Sequence, residues 1–343
     1  MSVKAKQRKT FDLPVLDRVL NYLSGDQIIR QGGKYVQSVL IPLSALAVFL
    51  MLWSFGAAQV QTSLGELPGP VKVWEQVIGL YDEHQLERDR ETAFDARMQV
   101  RLEKAIAAGK PQEKLDKISE RRYTGVPTFI DQILTSLITV ACGFLLGSII
   151  AVPIGIVCGM SPTLYSALNP IIQIFRPVSP LAWLPLVTMV VSAVFVSSDP
   201  MLDKSFITSA ITVTLCCLWP TVINTTVGVS SVDKDLLNVS QVLRLNWVSK
   251  TLKIVLPSAM PMIFTGLRLS LSIGWMVLIA AEMLAQNPGL GKFVWDEFQN
   301  GSSSSLARIM VAVLTIGCIG FLLDRGMLLL QHRVTWDKTA VLR

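Results

Sequence analysis

Residues Asp233–Met283, DKDLLNVSQVLRLNWVSKTLKIVLPSAMPMIFTGLRLSLSIGWMVLIAAEM, join two kinds of chain that seldom follow one another. The first half is polar and basic. Leu236, Val239, Val242, Leu243, Trp247 and Val248 recur at helical spacing, with Asn238, Gln241, Lys250 and Lys253 among them. The spacing predicts an amphipathic helix that stops at Leu256-Pro257, because the residue before a proline is pushed away from helical dihedrals. Pro261 follows, and then a long apolar span containing Gly266, Arg268 and Gly274. Two readings fit the apolar face: docking in the groove of a partner protein, or resting on lipid headgroups.

The chain around this stretch is apolar throughout. Of its 343 residues 51% are hydrophobic and only 16% charged, where a soluble domain carries about 25%; mean hydropathy is +0.49. The apolar residues come in runs near the length that crosses a bilayer core of roughly 30 Å. The expected fold is an all-α polytopic membrane protein. Cys142, Cys158, Cys216, Cys217 and Cys318 fall inside these runs without ligand or redox spacing, and read as small buried hydrophobes. His84 and His332 lie far apart in polar surroundings, so no metal site is expected. The net charge of +6 has no basic stripe with interleaved aromatics, which argues against a nucleic-acid partner.

Residues 1–35 form a basic segment with an amphipathic piece, FDLPVLDRVLNYL, that either lies on the membrane surface or packs beneath the helix bundle. No signal peptide is expected, since the first apolar run begins near Val36 and lacks a small-residue cleavage site. That run is the first span, 36–60. A charged insert occupies 61–126, with ten acidic and ten basic residues between Leu80 and Arg122. Pairs such as Glu87/Arg90 and Glu113/Lys117 support helix, and Gly109-Lys110-Pro111 should divide it into two. Residues 127–331 hold five further spans: one to about Met160, then about 181–197, 205–228, 262–284 and 306–330. The tail is 332–343. In the second span Thr139, Gly143 and Gly147 form a small-residue stripe that lets helices approach closely.

Six spans with the N-terminus inside place Lys234, Arg244, Lys250, Lys253, Arg333, Lys338 and Arg343 in the cytoplasm. The topology is therefore N-in, C-in. The polar segment 233–257 is cytoplasmic and the insert extracytoplasmic, the insert being too long to obey the positive-inside rule. No catalytic cluster is present. GLGKF at Gly289–Phe293 fails as a phosphate loop, because Gln286 replaces the first glycine and Phe293 the hydroxyl residue. Energy for uphill transport would have to come from a partner or from an ion gradient.

The proline end of the opening stretch resembles the cytoplasmic loop of bacterial ABC-importer permeases, whose pattern is E-A-A-x3-G-x9-I-x-L-P. Ile254, Leu256 and Pro257 match it; Asn238, Val239 and Ser240 stand for E-A-A, and Arg244 for the glycine. LPSAMPMIFTGLRLSL, GWMVLIAAEML, RPVSPLAWLPL and NPGLGKFVWD resemble the nitrate/taurine/alkanesulfonate branch, and the insert with LPGPVKVWEQV resembles its nitrate-type members. The resemblance implies a type I permease fold in the bacterial inner membrane, with a cytoplasmic coupling helix. It implies a second permease copy, ATP-binding subunits that hold the ATP and Mg, and an extracytoplasmic solute-binding protein. Asn238, Val239, Ser240, Leu243, Arg244, Trp247, Ile254, Leu256 and Pro257 would then contact the ATPase subunits. The implied cargo is nitrate or nitrite, with bicarbonate or an alkanesulfonate such as taurine as alternatives; a gradient-driven secondary transporter is the reading from another class.

A small anion needs hydrogen-bond donors and a modest positive field. Thr135, Ser136 and Thr139 of the second span, Asn224 and Thr226 of the fourth, and Arg268, Ser270, Ser272 and Glu282 of the fifth are the pathway candidates. An ionisable residue inside a span is costly enough to suggest function. Arg268 has a second reading, snorkelling to the headgroups. Glu282 near the outer end would gate, meet the binding protein or pair with a cation. Asn224 and Thr226 also fit a polar helix end, and Asp324 and Arg325 an anchor at the inner interface.

Overall fold

The computed structural model describes residues 26–62, 65–121, 123–195, 203–302 and 304–334. The amphipathic piece at 11–23, the end of the expected third span at 196–197 and the tail from 335 lie outside the described residues. The chain divides into two units, Met1–Pro70 and Val71–Arg343. In the first, α1 (Asp26–Gln59) carries a membrane-length apolar stretch, Leu40–Gln59, and continues with Pro42 inside it. A two-residue hairpin follows, β1 (Gln61–Thr62) and β2 (Gly65–Glu66), paired antiparallel with Gln61 opposite Glu66.

The second unit begins with α2 (Pro70–Ala107) and α3 (Gln112–Ser119), separated at Gly109-Lys110-Pro111, where Gly109 takes φ +60°. The bundle comprises α4 (Phe129–Met160), α5 (Pro162–Phe175), α6 (Pro180–Val194) and α7 (Lys204–Ser230). Next come α8 (Lys234–Val242), α9 (Trp247–Lys250), a π-helical turn (Thr251–Val255) and α10 (Leu256–Ala285). The last elements are α11 (Leu290–Asn300) and α12 (Ser305–Val334). Among the described residues five helices are long and apolar enough to cross a membrane: α1, α4, α7, the continuous Trp247–Ala285 helix and α12. The third span expected at 181–197 is α6, only 15 residues long. That is too short to cross alone; with α5 it makes a pair bent by 98°.

α7 is the axis, with α4 along one side and α10 along the other. Small residues bring the backbones together. A Cβ on Gly143 would sit 2.7 Å from the Ala210 carbonyl, and one on Gly155 2.5 Å from Thr225 Cβ. Across the resulting gap Thr214 donates to the Gly143 carbonyl at 3.0 Å, and Thr226 to that of Gly155 at 3.3 Å. On the other side Ser270 donates to the Cys217 carbonyl at 2.6 Å and meets Thr221 Oγ1 at 2.6 Å. Close helices with interhelical hydrogen bonds are how bundles hold in lipid, where burying apolar side chains gains nothing.

The insert is anchored to one end of this bundle. Arg88 pairs with Asp131 at 3.0 Å, His84 Nδ1 lies 2.7 Å from Thr128 Oγ1, and Arg308 bridges Glu83 and Glu297. Tyr123 donates to Glu87 at 2.7 Å, which holds the Glu87 carboxyl below its ordinary range and raises the Tyr123 phenol. Thr128 and Asp131 form the capping box that starts α4. The other end of α4 reaches the 233–257 segment, where Thr251 Oγ1 lies 3.4 Å from Met160 Sδ.

The proline corner is not where the spacing placed it. The helix that enters at Trp247 runs through Leu256-Pro257 without a stop, and Leu256 keeps helical dihedrals of −61° and −50°. The π turn makes this possible. The Leu256 N–H reaches back five residues to Thr251, and this wider turn shifts the carbonyl that the Pro257 ring would otherwise strike. The break falls earlier, between Val242 and Trp247.

Candidate functional site

The segment leading into α10 is built as two short helices around a left-handed corner. Asp233 caps α8 by accepting from the Asp235 N–H at 2.9 Å. At its other end Leu245 N–H bonds to Ser240 O at 3.0 Å and Arg244 N–H to Gln241 O at 2.9 Å. These two bonds make the Schellman ending, whose C′ residue must be left-handed. Arg244 takes that place with φ +47°. The glycine of the importer pattern aligns with this position, so the departure noted in the sequence has a conformational meaning: arginine occupies a corner that glycine fills without strain. Asn246 then caps α9, accepting from Ser249 N–H at 2.8 Å.

The corner sorts the side chains into two faces. Ser240 is buried and Leu237 packs with Val229, Val232, Val255, Ala259 and Ile263. Leu236, Val239, Val242, Leu243, Trp247 and Val248 are all exposed, Val242 to 83%. Asn238, Arg244 and Pro257 are exposed too, while Ile254 and Leu256 are half-buried. The apolar face expected of one helix therefore exists, presented by two.

The pathway candidates separate into distinct places. Thr135 and Thr139 turn back on their own helix, to the carbonyls of Asp131 at 3.0 Å and Thr135 at 2.7 Å. Thr226 is buried against Gly155, and Ser270 lies in the α7–α10 crossing. Ser272 is exposed. Arg268 does not stand alone: its Nε and Nη2 donate to Asp324 Oδ1 at 3.1 and 2.9 Å. Asp324 is thus a partner to α10, and Arg325 lies over the Phe321 ring at 5.0 Å.

Glu282 forms no ion pair among the described residues. It is fully buried, accepting from the Ser136 hydroxyl at 2.8 and 2.9 Å and from the Gly291 N–H at 2.9 Å. Ser136 in turn accepts from the Leu290 N–H at 2.9 Å. The carboxylate and hydroxyl together satisfy the first amides of α11, and Asn287 reaches Thr139 at 3.5 Å. A Cβ on Gly289 would strike the Glu282 carboxylate and one on Gly291 the Ile279 carbonyl, so the NPGLG run is shaped around this side chain.

Thr226 lines a cavity of ≈ 280 Å³ with Asn169, Gln173 and Arg176, and Asn224 also stands beside open space. It donates to Pro220 O at 2.8 Å and lines a cavity of ≈ 380 Å³ with Arg176, Trp183, Trp219, Leu269 and Ile273. Sequence reasoning had no reason to single out Arg176 or the two tryptophans. Arg176 stands in the proline-rich α5–α6 bend, and only the bend angle brings it to α7 and α10.

A model of the family described as "Binding-protein-dependent transport system inner membrane component" matches residues 143–336. The chain is 36% identical over 230 residues to the "Nitrate import permease protein NrtB" of Leptolyngbya laminosa, covering 66% of this chain and 77% of that one. It is 31% identical over 305 residues to the "Bicarbonate transport system permease protein CmpB" of Synechococcus elongatus, covering 89% and 92%. Among solved structures, an inward-facing MetNI methionine ABC transporter chain matches with a TM-score of 0.52 at 14% identity, over 60% of this chain and 96% of that one. That likeness is one of fold.

Proposed function

The chain belongs to the family of inner membrane components of binding-protein-dependent transport systems, and from that premise we propose that it is the permease subunit of an ATP-driven importer of nitrate or nitrite. The exposed apolar face of α8 and α9 carries this reading. Such a face, held by a segment whose opposite side packs beneath the bundle, suits the groove of a cytoplasmic partner. Leu236, Val239, Val242, Leu243 and Trp247 would seat in an ATP-binding subunit, with Asn238 and Arg244 at the rim. That subunit, not this chain, would hold ATP and Mg. Its closure would move α8 and α9, and the packed Leu237, Val255 and Ile263 would pass the motion to α7 and α10 as a two-state switch.

The remaining assignments follow from the same premise. The orientation is N-in and C-in, with the coupling segment cytoplasmic and the insert outside; their attachment at opposite ends of α4 supports this. Two copies of the chain would form the pathway in the lipid bilayer, and a solute-binding protein would deliver the anion. The test is co-purification with the ATPase subunits and nitrate uptake by Leu243→Asp and Trp247→Asp. Both should leave chain levels intact and abolish uptake; full uptake by either variant would remove the coupling role. The similarity to CmpB over most of the chain favours bicarbonate as the second reading. Nitrate-dependent growth and bicarbonate uptake after deletion separate the two.

A further inference from the structure

The geometry points to Arg176 as the cation of an anion transit site midway through the bundle, taking a planar monovalent oxyanion. The inference rests on the transport reading above and adds the residue that meets the cargo. Four observations converge on the ≈ 380 Å³ cavity that Arg176 lines.

The first is depth. The cavity touches α7 at Cys216, Trp219 and Asn224, and α10 at Leu269 and Ile273. Cys216, Trp219, Leu269 and Ile273 lie around the middle of helices that run Lys204–Ser230 and Leu256–Ala285, with Asn224 nearer the end of the first. A cavity centred on mid-helix residues is not where a lipid phosphate is expected. Alternating access needs its site at this level.

The second is charge. Arg268 of α10 is neutralised by Asp324, whereas Arg176, which lines the cavity, is exposed on the single chain. Arg176 has no carboxylate within ion-pair distance among the described residues. A guanidinium at mid-span without a counter-ion is costly unless an anion visits it. Its planar fork of donors matches a planar oxyanion, bidentate, better than a point charge does.

The third is the bend. α5 and α6 meet at 98°, so the N-terminus of α6 opens beside the cavity at Val178 and Pro180. A broken helix that turns its N-terminal end toward the middle of the bundle adds a positive field for an anion.

The fourth is the wall. Phe175 stacks on Trp219 at 5.9 Å and on Trp183 at 5.7 Å. Trp219 Nε1 is buried without a hydrogen-bond partner, an unmet donor of the kind folded proteins seldom keep. An aromatic wall with few fixed donors suits an anion that gives up its water easily, and it makes the guanidinium the principal attraction.

The experiment uses the whole complex in proteoliposomes, with binding protein and ATP, and nitrate as the probe. Uptake is expressed per assembled complex. Arg176→Gln should lower it at least about tenfold, the scale of a lost charge-assisted hydrogen bond, and Arg176→Lys should fall between. Arg325→Gln, outside the cavity, should stay within about twofold. Uptake by Arg176→Gln equal to that of the unsubstituted complex overturns the transit site and leaves the importer reading standing. No nitrate uptake by the unsubstituted complex overturns both. If Arg176→Gln does not assemble, Arg176→Lys decides: undiminished uptake then overturns the proposal, because a point charge would serve as well as the fork.

Discussion

Arg268 of α10 holds Asp324 of α12 through two donors on one carboxylate oxygen, at 3.1 and 2.9 Å. The pair joins the last membrane helix to α10. Each side chain is about a third exposed, at 27% and 31%, so the desolvation that makes a fully buried pair precarious is only partial.

Removing either partner should destabilise the purified complex by about 1–3 kcal/mol, the range for a hydrogen bond to a charged group. Arg268→Ala and Asp324→Ala together should cost less than the sum of the singles, with a coupling of about 0.5 kcal/mol or more. Thermal unfolding of the four proteins of this cycle measures it. Strict additivity would mean that the ion pair contributes nothing.

Arg244 pays the strain of a left-handed residue at φ +47°. Arg244→Gly should raise stability by roughly 0.5–1 kcal/mol, the left-handed penalty less the extra backbone freedom that glycine loses on folding. Arg244→Val should lower it, because a branched Cβ fits that corner worst. Unfolding midpoints of the two variants read the difference directly, and a destabilised glycine variant would show that the guanidinium, not the backbone, matters there.

Ser136 serves two partners at once, donating to Glu282 and accepting from Leu290. Ser136→Ala strands a buried carboxylate and a buried amide, at a cost of about 1–3 kcal/mol each. Gly291→Ala should be worse, because its methyl meets the Ile279 carbonyl, which cannot move without the helix. The yield of folded protein by size-exclusion chromatography ranks them. Normal yield from Gly291→Ala would contradict the packing described.

Two glycines of similar sequence setting should respond in opposite ways. Gly143→Ala places a methyl 2.7 Å from the Ala210 carbonyl and should cost about 1–3 kcal/mol. Gly317→Ala, with nothing within 4 Å, should be neutral or stabilise by up to about 1 kcal/mol through helix propensity. Melting temperatures of the two proteins give the comparison.

Much of the bundle was legible from hydropathy, because a membrane span must satisfy its backbone within itself and so announces itself as a long apolar run. The small-residue stripe at Gly143 and Gly147 was legible for a related reason: periodicity reports which residues share a face. The third span was not, since α5 and α6 meet at a bend of 98° and neither is long enough to cross alone. Leu256-Pro257 misled because the rule against helical residues before proline is local. The π turn at Thr251–Val255 that evades it draws its support from the packing of Thr251 and Val255 against the bundle.

Composition and spacing alone determined that this chain lives in a membrane, that an apolar face rides on the 233–257 segment, and that no phosphate loop lies within it. Those properties depend on runs and periods, which survive without coordinates. Tertiary structure decided the partners. It matched Arg268 to Asp324 across 56 residues, wrapped NPGLG around Glu282, and brought Arg176 from a bend to the middle of two other helices. Whether an ionisable side chain is a strut, a cap or a free charge depends on what lies opposite, and helix crossing sets that.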